Sequence, residues 1–549
     1  MKLNKFDIGA EIISILTRGM YPDPRDAVRE YIQNGIDAGA ENIQVKVRLD
    51  SVVVQDDGVG MDYATLRKAV RLGISDKNPK NNVGFMGIGI YSAFHLCEKM
   101  TIHTRKKDAN PLRLIMDFKS MKEHLDIQKE LRFSEKITSE QLTDLQTLLE
   151  QYINLTNDDE LSLEEFPHEG TWIELVGLDP ILYDYLIDFD SISSYLQEVV
   201  PLHFENEENF KWGPYIESEI NRICEDYNAG FQTVNLKLRV NNKSADLYRP
   251  YKNSDFHNNE PQAPVFQLLK RNRIFLGVAW GCLNSARKRI SEKEKRGFLL
   301  KKQGFAIGRR DDLARFFGRS NTYFDRYIGE VVLVNPEILP NGARNDLEVS
   351  IYKTIFDDVM ANNVSKKYNK LASKFQEENM AEEKLNQAIK DLTKINEDYT
   401  PFEENTDTLT ELIKSIDVLE KKIRLSKLAE NKKQEARMVK EQADELRKAI
   451  KERFDILINK QKQKKINQQE TQNNVTVNLN QINVNNLNIP ESESLLELLE
   501  NIDIEIDEGL IPFFTIIDEK FIQALSENAA HYKQLLEELK TDFLNQRTA

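Results

Sequence analysis

Residues 29–38 read REYIQNGIDA, and the interpretation of the whole chain starts from this stretch. Its pattern predicts a helix in which Glu30 and Asn34, four positions apart, project from one face, with Asp37 at helical spacing beyond them. A carboxylate placed in this way can take a proton from water, and the neighbouring carboxamide oxygen can hold a hard cation such as Mg²⁺. An isolated ExxxN pair is more often an ordinary solvated helix face, so the flanking motifs decide between these two interpretations.

The segment that follows predicts a hairpin of two strands. Apolar residues alternate over 43–47 and 52–54 within ENIQVKVRLDSVVVQDDGVGMD, which is typical of core strands. The second run ends at Asp56, and Gly58 and Gly60 come shortly after it. Glycines let another group approach the backbone closely, and a carboxylate can accept a hydrogen bond from an exocyclic amine such as that of adenine. Taken alone, this motif is more often an ordinary strand-to-helix turn.

A third motif consists of glycines ahead of an apolar run. The sequence VGFMGIGIYSAFHLC places Gly84, Gly87 and Gly89 before what we expect to be an apolar helix. Backbone amides at such a helix start can bind phosphate groups. The motif is not a Walker sequence, because no GK[ST] follows, and it is not GxGxxG. On its own it is better explained by a tight turn.

Together, the motifs resemble the GHKL ATPase superfamily and, within it, the ninety-kilodalton heat-shock chaperone (HtpG-like) branch. REYIQNGIDA is similar to that family's catalytic helix and VGFMGIGIYSAF to its glycine lid. An amphipathic helix predicted over 5–18, with Ile8 among its inward residues, matches as well. The Gly170-Thr171 pair in EGTWIELVG resembles the family's Gly-Thr that opens a late strand. The resemblance covers roughly residues 1–200 and implies a Bergerat-type α/β sandwich with a nucleotide site under a mobile lid.

The resemblance also implies a role for each matching position. Glu30 would be the general base that activates water, Asn34 would coordinate Mg²⁺ bridging the phosphates, and Asp56 would bind the adenine amino group. The other ATP-binding positions implied in this way are Asp37, Ala38, Gly58, Gly60, Met61, Lys77, Gly84, Met86, Gly87, Ile88, Gly89 and Thr171. One departure from the family pattern is Asp57, where small or amide residues are more usual, and it leaves the local polarity of the pocket open.

Residues 201–362 predict an α/β transducer, or middle, domain. The sequence LPNGARNDLE resembles the family loop that presents a catalytic arginine, and Arg344 occupies the position of that arginine. An arginine from a second domain can neutralise charge that develops on the γ-phosphate, so hydrolysis would require the two domains to close. Lys301 and Lys302 are the alternative phosphate contacts, by resemblance to the transducer domains of gyrase-type relatives.

Residues 363–466 predict a helical, coiled-coil arm. Apolar residues recur at spacings of three and four from Leu409 to Ile423, and a second set runs from Val439 to Leu457. This seam fits either an intramolecular helical hairpin or an intermolecular coiled coil. Residues 467–490 are rich in Asn and Gln and predict a linker or a strand, and residues 491–549 predict a small helical module. Neither segment resembles the dimerisation domain of the heat-shock chaperones.

Composition limits the possible classes of function. The chain has 549 residues, of which 40% are hydrophobic and 30% charged, so several domains are expected. It contains no run of roughly eighteen apolar residues that would predict a membrane span. Three scattered cysteines fit a reducing, cytoplasmic environment. The net charge of -15 argues against broad nonspecific binding of nucleic acid but leaves room for a local basic site around residues 287–302.

We therefore expect a protein that binds and hydrolyses ATP with Mg²⁺ and works as a conformational machine. By resemblance, nucleotide would gate dimerisation of the ATPase domain, with a homodimer or higher homo-oligomer also held by the coiled-coil tail. The favoured output is chaperone-like action on protein clients or partner subunits. The alternatives are a MORC- or MutL-like ATPase that engages nucleic acid and an ATP-gated scaffold in a prokaryotic defence system.

Overall fold

The computed structural model describes residues 8–73, 87–138, 141–157, 169–285, 288–318 and 323–472. Residues up to Phe454 belong to one compact unit; of the second unit, the described part is the end of the last helix. The predicted fold class is confirmed, because a mixed α/β region precedes a region of long helices. Within the described ranges, no helix combines the length and apolar character needed to cross a lipid bilayer.

The secondary structure alternates helices and strands up to residue 359 and is helical beyond it. The helices are α1 (Ile12–Met20), α2 (Arg25–Asp37), α3 (Tyr63–Ala69), α4 (Phe118–Phe133), α5 (Leu145–Tyr152), α6 (Pro180–Ile187), α7 (Phe189–Val199), α8 (Gly213–Glu225), α9 (Ile351–Val359), α10 (Ser365–Asp398), α11 (Thr406–Lys422) and α12 (Glu430–Gln472). The strands are β1 (Asn42–Val47), β2 (Ser51–Asp56), β3 (Cys97–Arg105), β4 (Leu112–Asp117), β5 (Ile153–Asn157), β6 (Gly170–Leu178), β7 (Asn235–Val240), β8 (Lys243–Leu247), β9 (Val265–Arg271), β10 (Ile274–Leu283), β11 (Gly297–Lys302), β12 (Phe305–Ile307) and β13 (Tyr327–Leu333).

The first sheet has eight strands in the order β5-β4-β3-β6-β2-β1-β7-β8. The predicted hairpin is present, since β1 and β2 pair antiparallel with Ile43 opposite Asp56. Alternate residues of β1 are buried, and they share one core with Val28 and Ile32 of α2. Because successive side chains point to opposite faces of a sheet, this register places Asp56 on the face that α2 covers.

The first sheet extends past residue 200, where the sequence placed the start of the second domain. Strand β7 pairs parallel with β1, with Asn42 opposite Asn235, and β8 completes the edge as the hairpin partner of β7. The side chains of Leu236 and Leu238 on β7 are buried in the same core as α2. The strands formed by NLKLRV and KSADL therefore lie in the first sheet, although residues 201–362 were assigned to the second domain from the sequence.

The second sheet has five strands in the order β12-β11-β13-β10-β9. Strands β11 and β12, in RGFLLKKQGFAIG, form an antiparallel hairpin, and a 3₁₀ helix, Arg310–Phe316, follows it. Phe305 and Ala306 at the hairpin end are buried in the core of the first sheet. The hairpin thus joins the two sheets through shared apolar packing, which excludes water from their junction.

The N-terminal helix is shorter than predicted. It begins at Ile12, and Ile8, which we expected to face inward, is 61% exposed. The residues before the helix are held by bonds to the segment preceding α5: Ala10 N–H donates to Thr143 O, and Leu145 N–H donates to Ile8 O at 2.8 Å. Pairing of the main chain with this segment therefore replaces the first turns of the expected helix.

The apolar run after Gly89 is not the α-helix that the sequence predicted. Gly89–Tyr91 is a single 3₁₀ turn, and further turns lead directly into β3. Tyr91 and Phe94 are fully buried, and the Tyr91 hydroxyl donates to Val70 O at 2.5 Å. The side chains thus pack inward as expected, while the main chain uses bonds between residues three apart.

The helical arm packs within the chain. The buried residues on α11 include Leu409, Leu412, Ile416 and Leu419, which are the predicted seam. Lys422 pairs with Asp391 of α10 at 3.1 Å, and Arg447 of α12 pairs with Asp417 and Glu420 of α11. These pairs lie within one chain, as the intramolecular alternative requires. The last helix continues to Gln472, and the rest of the predicted linker and the C-terminal module lie outside the described residues.

Candidate functional site

The floor of the candidate site is a row of polar side chains across three neighbouring strands. Asp56 is opposite Thr171 in the pairing of β2 with β6, and Thr171 is opposite Thr104 in the pairing of β6 with β3. The two threonine hydroxyls lie 3.2 Å apart, and the Thr104 hydroxyl also accepts from Met61 N–H at 2.9 Å. All three side chains of the row are buried. The predicted residues Asp56 and Thr171 therefore lie together, with Met61 bound to the same row.

The turn after β2 is built around close backbone contacts. Gly60 has φ +63°, and a Cβ there would lie 1.9 Å from Arg105 O. At Gly170, which opens β6 as predicted, a Cβ would lie 2.3 Å from Asp56 O. Gly58 N–H donates to Asp56 Oδ1 at 3.0 Å. The glycines thus allow three strand ends to converge where the Asp56 carboxylate is held.

Asp57 does not share in this row. Its carboxylate accepts from the Glu41 and Asn42 amides at 2.8 and 2.9 Å and from the Asn42 side chain at 2.7 Å. These three bonds satisfy donors at the start of β1. The family-atypical aspartate therefore has a structural role at the strand start, next to Asp56 in sequence but with different partners.

Helix α2 covers the row closely. A Cβ on Gly35 would lie 2.9 Å from the Asp56 Cβ, so a glycine is needed at this contact between helix and strand. Ala38 ends the helix, and its carbonyl accepts from Val59 N–H at 3.0 Å. Asn34 and Asp37 on the same helix are half-buried. Helix α2 therefore carries the predicted Asn34 carboxamide and Asp37 carboxylate along the ends of the strands.

The described end of the glycine segment meets Glu30. Gly87 has φ +67°, and its carbonyl accepts from Gly73 N–H at 3.0 Å. At Gly89, a Cβ would lie 2.6 Å from Glu30 Oε2, so the glycine backbone passes directly beside the carboxylate. Ile88, which lies between Gly87 and Gly89 in the sequence, is buried. The predicted positions Lys77, Gly84 and Met86 lie outside the described residues.

Arg344 reaches the same carboxylate from the loop between β13 and α9. Its Nη2 lies 2.8 Å from Glu30 Oε1, and its Nη1 donates to Gln33 Oε1. The arginine has φ +54°, a backbone conformation that residues other than glycine seldom adopt. Its carbonyl accepts from Gly308 N–H at 3.0 Å, which fixes the loop to the end of the β11–β12 hairpin. The geometry thus brings together two predicted residues that are far apart in the sequence.

Two of three comparisons with known proteins found a match. Residues 22–147 match the family model described as "Histidine kinase-, DNA gyrase B-, and HSP90-like ATPase". These residues form a GHKL ATPase domain. A search of curated proteins finds no match. Among solved structures, one titled "Crystal Structure of N terminal domain of a DNA repair protein" is 13% identical, with a TM-score of 0.38, and the alignment covers 66% of this chain and 98% of that chain.

A second contact ties the GHKL ATPase domain to the hairpin. Arg29, adjacent to Glu30, is buried and donates from Nη2 to Ala306 O at 2.5 Å. Tyr21 also lies near the carboxylate: burial, and then the charge of Glu30, raise the pKa of its hydroxyl. Neither residue was expected from the sequence. Arginine and tyrosine next to a motif are common, and only the position of the second sheet gives Arg29 its partner, Ala306 O.

Lys301 and Lys302 do not reach the GHKL ATPase site. Lys301 Nζ pairs with Glu330 Oε1 at 2.9 Å, and Lys302 Nζ donates to Asn335 O at 2.7 Å. Both side chains are buried, and burial lowers the pKa of each ammonium group to about 8. The expectation that either lysine is an alternative phosphate contact is wrong, because both ammonium groups are bound within the second sheet. The cation that lies beside Glu30 is Arg344 instead.

Proposed function

We propose that this chain binds ATP with Mg²⁺ in the GHKL site and hydrolyses it. The observation that carries the proposal is the pair of Glu30 with Arg344, in which a buried carboxylate of the ATPase domain faces a cation supplied by the second domain. In this proposal the Asp56 carboxylate accepts from the adenine amino group on the floor formed with Thr171 and Thr104. Gly58, Gly60 and Met61 line the turn beside it, with Asp37 and Ala38 at the end of α2.

The donor set fits a magnesium nucleotide. Asn34 offers a neutral carboxamide oxygen, the kind of hard ligand that Mg²⁺ accepts alongside phosphate oxygens. Asn34 would hold the ion, whose charge would reduce the repulsion between phosphate oxygens and the Glu30 carboxylate. Backbone amides of the glycine segment, of which Gly87, Ile88 and Gly89 are described, would donate to phosphate oxygens close to Glu30.

In the hydrolytic step, Glu30 takes a proton from the attacking water. The carboxylate is buried and held beside glycine backbone, so a water bound between it and the γ-phosphate would be shielded from solvent. Arg344 has two terminal nitrogens directed at α2, and its charge would stabilise negative charge that builds up on the transferred phosphoryl group. Turnover would therefore require the second domain to be seated on the ATPase domain.

For the output, we propose a chaperone-like conformational machine that acts on protein partners and dimerises through its ATPase domain. A net charge of -15 disfavours a polyanionic partner. The apolar seam of the arm is buried within the chain, which favours the ATPase domain over the arm as the dimer contact. If a MORC- or MutL-like role applied instead, double-stranded DNA would stimulate the ATPase, and the stimulation would fall steeply with salt.

The adenine assignment can be tested with a matched pair of substitutions. We expect Asp56→Asn to weaken ATP binding about 10- to 100-fold, since it removes a charged acceptor worth roughly 1.5–3 kcal/mol. Asp57→Asn is the control, because its carboxylate binds the start of β1 and not the polar row. Titration calorimetry with MgATP would measure both affinities. Equal affinities for the two variants would contradict the role of Asp56.

A further inference from the structure

Gln33 is a buried polar residue of α2 that the sequence motifs leave unexplained. It lies one turn after Glu30, immediately before Asn34, and its side chain is 0% exposed. Its amide oxygen accepts from Arg344 Nη1. Among the described residues, its amide nitrogen Nε2 has no hydrogen-bond partner. A buried amide with an unmade bond costs about 1–3 kcal/mol, so an apolar side chain would serve better if packing alone mattered.

The arrangement matches the two-pronged shape of a guanidinium group. Arg344 Nη2 lies against Glu30 Oε1 while Nη1 donates to Gln33 Oε1, and these two acceptors are three residues apart on one helix face. Contact with Glu30 alone would leave the guanidinium plane free to pivot about that contact. The second acceptor fixes the plane, which a lysine ammonium could not exploit in the same way.

The chemical nature of the second acceptor also matters. Gln33 is neutral, so it orients Arg344 without neutralising its charge. A second carboxylate at this position would hold the guanidinium group more strongly but would also cancel more of the positive charge that the phosphate requires. Since the whole Arg344 side chain is only 14% exposed, few solvent contacts compete with these two acceptors.

We propose that Gln33 is a positioning residue for ATP hydrolysis, which holds the Arg344 guanidinium group on the catalytic helix. This inference rests on the proposed ATPase function. Gln33 acts through Arg344 and contributes to the rate of turnover, whereas the affinity for nucleotide depends on the polar row of Asp56, Thr171 and Thr104. The effect of altering Gln33 should therefore depend on whether Arg344 is present.

A double-mutant cycle in the full-length chain tests this dependence. Gln33→Met keeps the length of the side chain and removes the acceptor, and we expect kcat to fall about 10-fold because one charge-assisted hydrogen bond is lost. The dissociation constant for MgATP should stay within about 2-fold of the wild-type value. In an Arg344→Ala background, which by itself should lower kcat about 10²- to 10³-fold, Gln33→Met should have no further effect.

A second substitution covers the case in which Gln33→Met is poorly folded. Gln33→Asn retains an amide but withdraws it by one methylene, so the same loss of kcat and the same dependence on Arg344 are expected. Equal falls in kcat in both backgrounds, or an unchanged kcat in the single variants, would overturn the role of Gln33 while leaving the ATPase proposal intact. A wild-type chain that binds MgATP but releases no phosphate would overturn the ATPase proposal itself.

Discussion

Among the described residues, two buried glutamates each face an arginine, and their surroundings differ. Glu30 on α2 meets Arg344, and among the described residues this is the one cation within ion-pairing distance of it. Its second oxygen, Oε2, lies beside the backbone of Gly89. Glu330 on β13 is at the centre of the second sheet, and protein groups contact both of its oxygens.

Glu330 is the hub of a buried polar network. Its Oε2 accepts from Arg249 Nη1 at 2.5 Å and from the Trp280 indole at 3.2 Å. Its Oε1 accepts from the Tyr251 hydroxyl at 2.8 Å and lies 2.9 Å from Lys301 Nζ. Burial by itself raises the pKa of this carboxyl, but the Arg249 and Lys301 cations outweigh burial and lower it to about 2.

The network also reaches elements that pack in the core of the first sheet. Arg310 donates to the Tyr251 hydroxyl at 2.8 Å and pairs with Glu198 of α7 at 3.2 Å, and Arg249 donates to Leu202 O. The two glutamates therefore differ in how many partners the protein supplies to each carboxylate. Protein donors surround Glu330, which makes it a fixed structural element, whereas the described residues give Glu30 one cation at Oε1 and place glycine backbone beside Oε2.

The sharpest test of this comparison is a pair of isosteric substitutions. We expect Glu30→Gln to lower kcat about 10²- to 10⁴-fold, because the general base is lost, while MgATP affinity and the thermal midpoint stay close to wild type. Phosphate release, calorimetry and thermal unfolding would measure the three quantities. A Glu30→Gln variant that turns over at the wild-type rate would show that Glu30 is as structural as Glu330.

The second substitution, Glu330→Gln, should mainly lower stability, whereas Glu30→Gln should mainly lower turnover. Glu330→Gln leaves Arg249, Lys301 and Arg310 buried with one carboxylate fewer, and we expect a loss of about 3–5 kcal/mol in the free energy of unfolding of the second sheet. Fluorescence of Trp280, which contacts Glu330, would report this transition during urea unfolding. If stability were unchanged and only turnover fell, Glu330 would belong to the reaction and not to the structural core.

The contribution of Glu330 to stability should also depend on pH, and this effect is smaller than that of either substitution. The folded-state pKa of Glu330 is lowered from 4.5 to about 2, so its contribution to stability is fully present above about pH 4.5 and disappears as pH falls towards 2. The stability difference between wild type and Glu330→Gln should therefore narrow between about pH 5 and pH 2. Urea midpoints over this range measure the difference. A constant difference would contradict a charged Glu330 in the folded protein.

The sequence predicted the positions of the candidate residues best where all contacts are local. Glu30, Asn34 and Asp37 follow from helical spacing, and Asp56 follows from its position at the end of an apolar strand. Thr104 was missed, because its place in the row depends on the register between β3 and β6, which are separated by more than sixty residues. The glycine run was predicted to lead into an α-helix, since its apolar residues fit one, but the short distance to β3 leaves room only for turns.

The lysines show the limit of sequence reasoning more clearly. Two adjacent lysines beside an arginine-rich segment are typical of an anion site, and nothing local indicates that their ammonium groups face a buried glutamate twenty-nine residues away and a backbone carbonyl. The seam of the arm was predicted correctly as apolar, but periodicity does not tell which helix covers it. In both cases the missing information is the identity of the partner.

By itself, the sequence determined the chemical types at the site: a carboxylate and a carboxamide on one helix face, an aspartate ahead of glycines, and an arginine in a later loop. The first two features arise from repeats of 2 and 3.6 residues and from turn chemistry, which act over a few residues, and the arginine was singled out by the resemblance of its loop to a family loop. Only the tertiary structure decided that Arg344 with Gln33 faces Glu30, and that Lys301 and Lys302 do not. Burial and distance between remote segments depend on how two sheets pack, and no local pattern encodes that packing.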